Sequence, residues 1–128
     1  MVTSPNYPNN YPKGLEKIET IKVEEGLIIS LQFTAFDIEW CDSTCDCDHL
    51  TITDGDGTTL MKKSCGPRFG NVFVGGQNIG SSLPADIRST SNIVNQVFIT
   101  DGWDGGNSGW SVSCSAVTPG ECQHLVGD

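Results

Sequence analysis

Short β-type runs separated by turn-forming clusters are the feature that most constrains the fold of this chain. Apolar and β-branched residues recur in short stretches, and Gly, Asn, Asp and Pro fill the intervals between them. No stretch of useful length shows the three-to-four-residue apolar spacing of an amphipathic helix. Seven or more short strands in antiparallel order predict an all-β protein, an antiparallel β-sandwich built from two packed sheets.

The strands can be placed along the sequence from their composition and from the turns between them. We expect strands at about 18–23, 27–33, 50–53, 59–63, 87–89, 92–100 and 109–116. The third and fourth of these form a hairpin, because Asp54-Gly55-Asp56-Gly57 between them supplies residues that tolerate the positive φ of a tight turn. This turn does not match the EF-hand pattern, which requires Gly at the sixth position and Glu at the twelfth.

Alternation along the third strand identifies a carboxylate in an unusual position. Asp48, Leu50 and Ile52 share the inward face, while His49 and Thr51 point outward. Asp48 is therefore expected at the rim of the core. Because an unpaired buried carboxylate is unfavourable, its position requires a cation or several hydrogen-bond donors.

Length and the spacing of special residues indicate one domain spanning residues 1–128, with a core at about 2–116 and a C-terminal tail at 117–128. The Gly-rich segment 67–82 has little periodicity and is predicted to be a long loop. Its aromatic residues either bind a partner or cover a sheet face.

Charge and motifs exclude several classes of function. Sixteen acidic against seven basic side chains give a net charge of −9, which argues against nucleic acid and favours cations or basic proteins as partners. No apolar run approaches the roughly 20 residues that span a bilayer, so membrane insertion is not expected. With two histidines and no H-E-x-x-H or G-x-S-x-G motif, the domain is not expected to be an enzyme.

Six cysteines in so short a chain indicate disulfide bonds and an oxidising compartment. The alternative, a structural zinc site, is disfavoured. Cys41, Cys45 and Cys47 have x₃ and x₁ spacings, and the remaining cysteines provide no second C-x₂-C pair.

Four separated motifs, in the order and spacing of a known family, resemble those of CUB domains. They are Ser4-Pro5-Asn6-Tyr7-Pro8 with Tyr11-Pro12, Phe36-Asp37-Ile38-Glu39, Asp48-His49-Leu50-Thr51-Ile52-Thr53-Asp54-Gly55, and Phe98-Ile99-Thr100-Asp101. The resemblance covers about 2–116. The chain is similar to the leading CUB domains of complement-type proteases and to CUB modules of secreted invertebrate proteins. It implies a secreted, jelly-roll-like sandwich with about four to five strands in each sheet.

The calcium-binding branch of this family implies a metal site. By resemblance, Glu39, Asp48 and Asp101 hold one Ca²⁺, Tyr11 orients these ligands by hydrogen bonding, and a backbone carbonyl near Trp103 completes the shell. Carboxylates about 5 Å apart repel by roughly 3 kcal/mol per pair at an effective dielectric of about 20, so a cation would offset the repulsion. The alternatives are that the three acids are separate surface groups or pair with Lys and Arg, and that Tyr11 is a packing residue.

In complement-type and receptor CUB domains, ion-bound carboxylates also accept a partner's Lys or Arg. The resemblance therefore implies that Glu39, Asp101 and Trp103 bind a basic extracellular protein or peptide. A glycan-binding module and a structural spacer of a secreted multidomain protease are the alternatives, and weak self-association is a further one. The parent protein could itself be a secreted protease, since CUB modules commonly accompany protease domains.

The resemblance also bears on the disulfides. Cys45 and Cys65 match the pair that the family keeps, whereas the family's frequent first disulfide is missing, because no Cys lies near Lys17. For the four extra cysteines we expect Cys41 with Cys47 and Cys114 with Cys122, as short local closures. A bond between strands remains the alternative, because Cys114 lies in the last strand.

Overall fold

The protein is an antiparallel β-sandwich, as the sequence predicts. The computed structural model describes residues 1–103 and 105–118, which contain ten strands and no helix. The strands are β1 (Val2–Thr3), β2 (Glu16–Lys22), β3 (Ile28–Asp37), β4 (His49–Asp54), β5 (Thr59–Cys65), β6 (Phe73–Val74), β7 (Gln77–Asn78), β8 (Ile87–Arg88), β9 (Ile93–Ile99) and β10 (Gly109–Val117). One sheet has the order β1-β10-β3-β8 and the other β2-β9-β4-β5-β6-β7. The described part of the chain offers no helix that could span a bilayer.

The core lies between the two sheets and follows the predicted alternation. Leu50 and Ile52 of β4 are fully buried, as are Val94 and Phe98 of β9, which pairs with β4 along its length. Phe98 packs edge-to-face against Trp110 of the opposite sheet, with ring centroids 5.8 Å apart. The predicted inward face of β4 is therefore confirmed.

The pairing register brings four connecting segments to one end of the sandwich. Gly109 of β10 pairs with Asp37 at the end of β3, while Ile99 at the end of β9 pairs with both Glu16 and His49, the first residues of β2 and β4. The bridge between residues 38 and 66 adds the segment after β5 to the same end. We call this the loop end; it comprises residues 4–15, 38–48, 66–72 and 100–108, of which 104 is not described.

The segment 67–82 is more ordered than the sequence predicted. Instead of an irregular long loop, it contains the β6–β7 hairpin, whose first strand pairs with β5 and enlarges one sheet to six strands. Gly75 and Gly76 have φ of +59° and +86°. These values suit the two-residue turn that Gly-Gly favours, so the missed signal was Val74-Gly75-Gly76-Gln77.

Two disulfides lie at the loop end, joining Cys41 to Cys47 and Cys45 to Cys65. Cys114 is half-buried in β10 and has no disulfide partner among the described residues. Its expected partner, Cys122, lies outside them. β10 continues to Val117, one residue past the expected core, and most of the predicted tail at 117–128 also lies outside the described residues.

Candidate metal centre

Three carboxylates that are distant in sequence meet at the loop end. Glu39 follows β3, Asp48 directly precedes β4, and Asp101 follows β9. Oxygens of Glu39 and Asp101 and the sulfur of Cys47 all lie within 4.8 Å of one another. Asp48 is adjacent, because its Oδ1 accepts a hydrogen bond of 2.8 Å from the backbone N–H of Asp101. The fold thus brings together the acids that the sequence singled out.

The hydroxyl of Tyr11 links two of these acids. It donates a hydrogen bond of 2.6 Å to Oδ2 of Asp48 and accepts one of 3.0 Å from the backbone N–H of Glu39. The ring is buried edge-to-face against Phe98, with centroids 5.0 Å apart. Burial, followed by the bond to Asp48, raises the pKa of Tyr11. Tyr11 therefore remains a protonated donor in a fixed position.

The electrostatics of the cluster favour a bound cation. Asp48 is 0% exposed. Its pKa is raised, chiefly by burial and also by the neighbouring carboxylate of Asp101, although the bonds from Tyr11 and from the backbone of Asp101 oppose this. A buried carboxylate beside two others is destabilising unless positive charge offsets it.

The available donors match a hard divalent ion. All three side chains offer carboxylate oxygens, the ligands that Ca²⁺ takes in numbers of six to eight with flexible geometry. Cys47 is close but forms a disulfide with Cys41, so its sulfur is not a thiolate ligand. The residues present therefore fit Ca²⁺ better than Zn²⁺, which favours nitrogen and sulfur.

The loop that carries Asp101 is shaped to lie close to Glu39. Oδ1 of Asp101 accepts a hydrogen bond of 2.9 Å from the backbone N–H of Trp103. A Cβ on Gly105 would lie 3.0 Å from the carboxyl carbon of Glu39, so a larger residue there would require the Glu39 side chain to shift. The indole of Trp103 is 71% exposed and is therefore accessible to a partner.

Asp37 is a site residue that the sequence reasoning missed. Its Oδ1 accepts from the backbone N–H of Arg68 at 3.0 Å and from Nδ2 of Asn107 at 2.7 Å. Its Oδ2 accepts from the N–H and hydroxyl of Ser108 at 2.9 and 3.0 Å. Burial alone would raise the pKa of Asp37, but these hydrogen bonds lower it. One carboxylate thus joins the loop after β5 to the loop after β9; its position two residues before Glu39 was the available signal.

Comparison with known proteins identifies the class to which this sandwich belongs. The family model of the CUB domain matches residues 1–113. The chain therefore belongs to the CUB domain family, as its motifs indicated.

The relatives include a tolloid-like protein and a serine protease. The chain is 38% identical over 103 residues to mouse tolloid-like protein 1, covering 79% of this chain and 9% of the relative. It is 35% identical over 127 residues to human mannan-binding lectin serine protease 1, covering 98% of this chain and 16% of the relative. The chain therefore spans less than a fifth of these relatives.

Solved structures show the same architecture. A crystal structure of the MASP-1 CUB2 domain bound to Ca²⁺ is 34% identical, with a TM-score of 0.65 and coverage of 88% of both chains. The CUB1-EGF-CUB2 region of rat MASP-1 is 32% identical, with a TM-score of 0.70 and coverage of 88% of this chain and 36% of that one.

Proposed function

We propose that this chain is an extracellular protein-interaction module whose loop end binds Ca²⁺ and presents the ion-bound carboxylates to a basic partner. Glu39, Asp48 and Asp101 hold the ion, Tyr11 orients the ligands, and a backbone carbonyl near Trp103 adds to the shell. The observation that carries the proposal is the fully buried Asp48 beside two further carboxylates. The Ca²⁺-bound structure of the related MASP-1 CUB2 domain supports it.

The three acids have different surroundings and therefore different roles. Asp48 is enclosed, with Tyr11 and the backbone of Asp101 already bonded to its two oxygens, so it serves the ion alone. Glu39 and Asp101 are half-buried, with Oε1 of Glu39 shielded from solvent and the rest of both side chains nearer the surface than Asp48. They can therefore accept charge-assisted hydrogen bonds from a partner's Lys or Arg. When bound, Ca²⁺ offsets their mutual repulsion and lowers the entropy lost when a partner orders the loops.

Charge alone would give weak binding. An exposed ion pair contributes about 0–1 kcal/mol, so useful affinity requires apolar contacts or several copies of the module. Trp103 is placed to supply one such contact, because it is exposed in the loop of Asp101 and an indole face attracts a cationic side chain.

The remaining features fit a binding module outside the cell. Two disulfides cross-link the loop end, and disulfides are usual in proteins of oxidising compartments. Of the two histidines, His49 lies 3.0 Å from the carbonyl of Cys45 through Nδ1, and burial lowers its pKa. It has no nucleophile partner among its described contacts. We assign catalysis, where a longer chain has it, to other domains.

The decisive experiment measures whether Ca²⁺ increases binding to lysine. Retention on immobilised poly-lysine is compared in millimolar CaCl₂ and in EDTA at fixed ionic strength. The proposal requires higher retention with Ca²⁺ for the native protein, loss of that increment for Glu39→Ala, and an unchanged increment for the matched control Asp56→Ala, in the β4–β5 turn. If Ca²⁺ lowers retention, it acts only by reducing the net negative charge, and the recognition role is wrong. A domain that acts only as a structural spacer would bind Ca²⁺ without any increase in its retention on poly-lysine.

The disulfide between Cys41 and Cys47 is expected to set the calcium affinity. It closes the segment between Glu39 and Asp48, and its Cys47 sulfur lies within 4.8 Å of the oxygens of Glu39 and Asp101. Replacing both cysteines with serine should weaken Ca²⁺ binding by about tenfold, because the freed loop must then be ordered by the ion. Calorimetry measures this against a native Kd of about 10⁻⁴ to 10⁻³ M. An unchanged Kd with a lower melting temperature would show that the bond only stabilises the fold.

A further inference from the structure

One edge of the four-stranded sheet is open beside the metal centre. β8 pairs with β3 only at Ser30 and Leu31, and the next pairing on that edge is the bridge from Ile38 to Gly66. Within the described residues, 32–37 has no strand partner on this side. Such an edge offers backbone N–H and C=O groups to an added strand.

A groove of about 300 Å³ lies along this open edge. Its lining includes residues 34–37 of β3 together with Phe69 and Leu83, from the segments that flank β6 and β7. Phe69 is 87% exposed and Leu83 is 46% exposed. The groove is large enough for one bulky side chain, and its lining is mixed, with the apolar Phe69 and Leu83 beside Ser81, Ser82 and Ser108.

Phe69 is held in a conformation that aromatic residues rarely adopt. It has φ of +65° in the turn that the hydrogen bond from Gly70 N–H to Pro67 C=O closes at 3.2 Å. A glycine or asparagine is the usual residue there. The guanidinium of Arg68 stacks 4.7 Å from the ring centre. Strained backbone of this kind clusters at ligand-binding sites, and a ring this exposed contributes little buried area to the fold.

The groove and the metal centre are parts of one surface. Ser108 lines the groove and belongs to the loop of Asp101, and Asp37 anchors that loop to Arg68. Glu39 lies two residues beyond Asp37, which is about 7 Å along an extended chain. A single bound segment can therefore reach both places.

We propose that the partner is an extended protein segment that adds to the open edge of β3, inserts an apolar side chain between Phe69 and Leu83, and carries its Lys or Arg to Glu39 and Asp101. This inference rests on the proposed function and deepens it by naming the partner's form. The distance along β3 requires the apolar and basic residues to lie about two to four positions apart. Arg68 repels a basic residue from the groove and so fixes the direction of the segment.

The test selects peptides from a displayed random library with one fixed central lysine, in millimolar CaCl₂. Selection on the native protein should enrich a large apolar residue at one fixed distance from the lysine. Synthesised as a free peptide, the winner should slow hydrogen exchange of the amides at 33–36. Leu83→Ser should weaken its binding about tenfold. Ile18→Ser, which removes an apolar side chain that is 64% exposed on β2, should leave binding unchanged.

The outcomes separate this inference from the function on which it rests. Peptides that need calcium and lysine but show no fixed apolar residue, or no protection at 33–36, would overturn the groove and leave the basic-partner function standing. Peptides with a fixed apolar residue whose binding ignores both Glu39→Ala and EDTA would instead overturn the function. Calcium-independent dimerisation that protects 33–36 without peptide would show that a second copy fills the edge, which also contradicts the inference.

Discussion

Replacing Asp101 with alanine is expected to abolish Ca²⁺ binding while making the metal-free protein slightly more stable. Asp101 supplies a ligand to the ion, and without the ion it disfavours the charged form of the buried Asp48. Removing one of two neighbouring carboxylates relieves repulsion of roughly 3 kcal/mol at about 5 Å, part of which solvent screens. Melting in EDTA should therefore occur at a higher temperature, and CaCl₂ should no longer raise it.

Asp56→Ala is the matched control, because it removes an acid from the tip of the β4–β5 hairpin, outside the loop end. It should retain the native heat of calcium binding, and the loss of its hydrogen bond from Thr58 N–H should lower the melting temperature slightly and equally with and without calcium. An Asp101→Ala variant that still gives the native titration heat would exclude this carboxylate from the site. One that is destabilised equally with and without calcium would make Asp101 a structural residue.

The second large effect is a loss of stability on substitution of Asp54. This residue lies at the opposite end of β4 from Asp48 and is almost fully buried. Its oxygens accept hydrogen bonds from the N–H and hydroxyl of Thr90 at 2.7 and 2.8 Å, from Gly55 N–H at 2.8 Å, and from the hydroxyl of Ser91. Asp54→Asn replaces one accepting oxygen with an NH₂ group, which is itself a donor and cannot accept hydrogen bonds from these groups. The loss should be about 2–3 kcal/mol of unfolding free energy. Urea titration measures it, and Asp56→Asn should change it by less than about 0.5 kcal/mol.

The same carboxylate predicts how stability depends on pH. Burial alone would raise the pKa of Asp54, but the hydrogen bonds from Ser91 and Thr90 lower it from 3.8 to about 2. Because the folded pKa lies below the unfolded value, the contribution is complete above about pH 4 and is lost as the pH falls toward 2. It amounts to about 2 kcal/mol. Asp54→Asn should flatten this part of the stability profile, and an unchanged acid limb would show that other carboxylates cause it.

Most of the fold was predictable because its signals are local. Alternation placed Asp48, Leu50 and Ile52 on the inward face, and Asp54-Gly55 marked a hairpin; burial and pairing agree with both. The β6–β7 hairpin was missed, since each strand has only two residues and alternation has no meaning over so short a length. Its Gly-Gly turn was the one usable signal.

The candidate site was only partly predictable, because it depends on which segments become neighbours. Alternation shows which face a side chain occupies and does not show which strand lies beside it. The convergence of Glu39, Asp48 and Asp101 therefore came from the family resemblance and not from periodicity. The role of Asp37 was missed for the same reason: its partners, Arg68, Asn107 and Ser108, are 31 to 71 positions away.

The fourfold-bonded carboxylate of Asp37 has a thermodynamic consequence. Because it fastens the groove loop and the ion loop to one point of β3, ordering either loop reduces the entropy that remains to be lost by the other. Ion and peptide should then show positive cooperativity, each raising the other's association constant by the same factor. Asp37→Ala should bring that factor close to one even where both separate affinities survive.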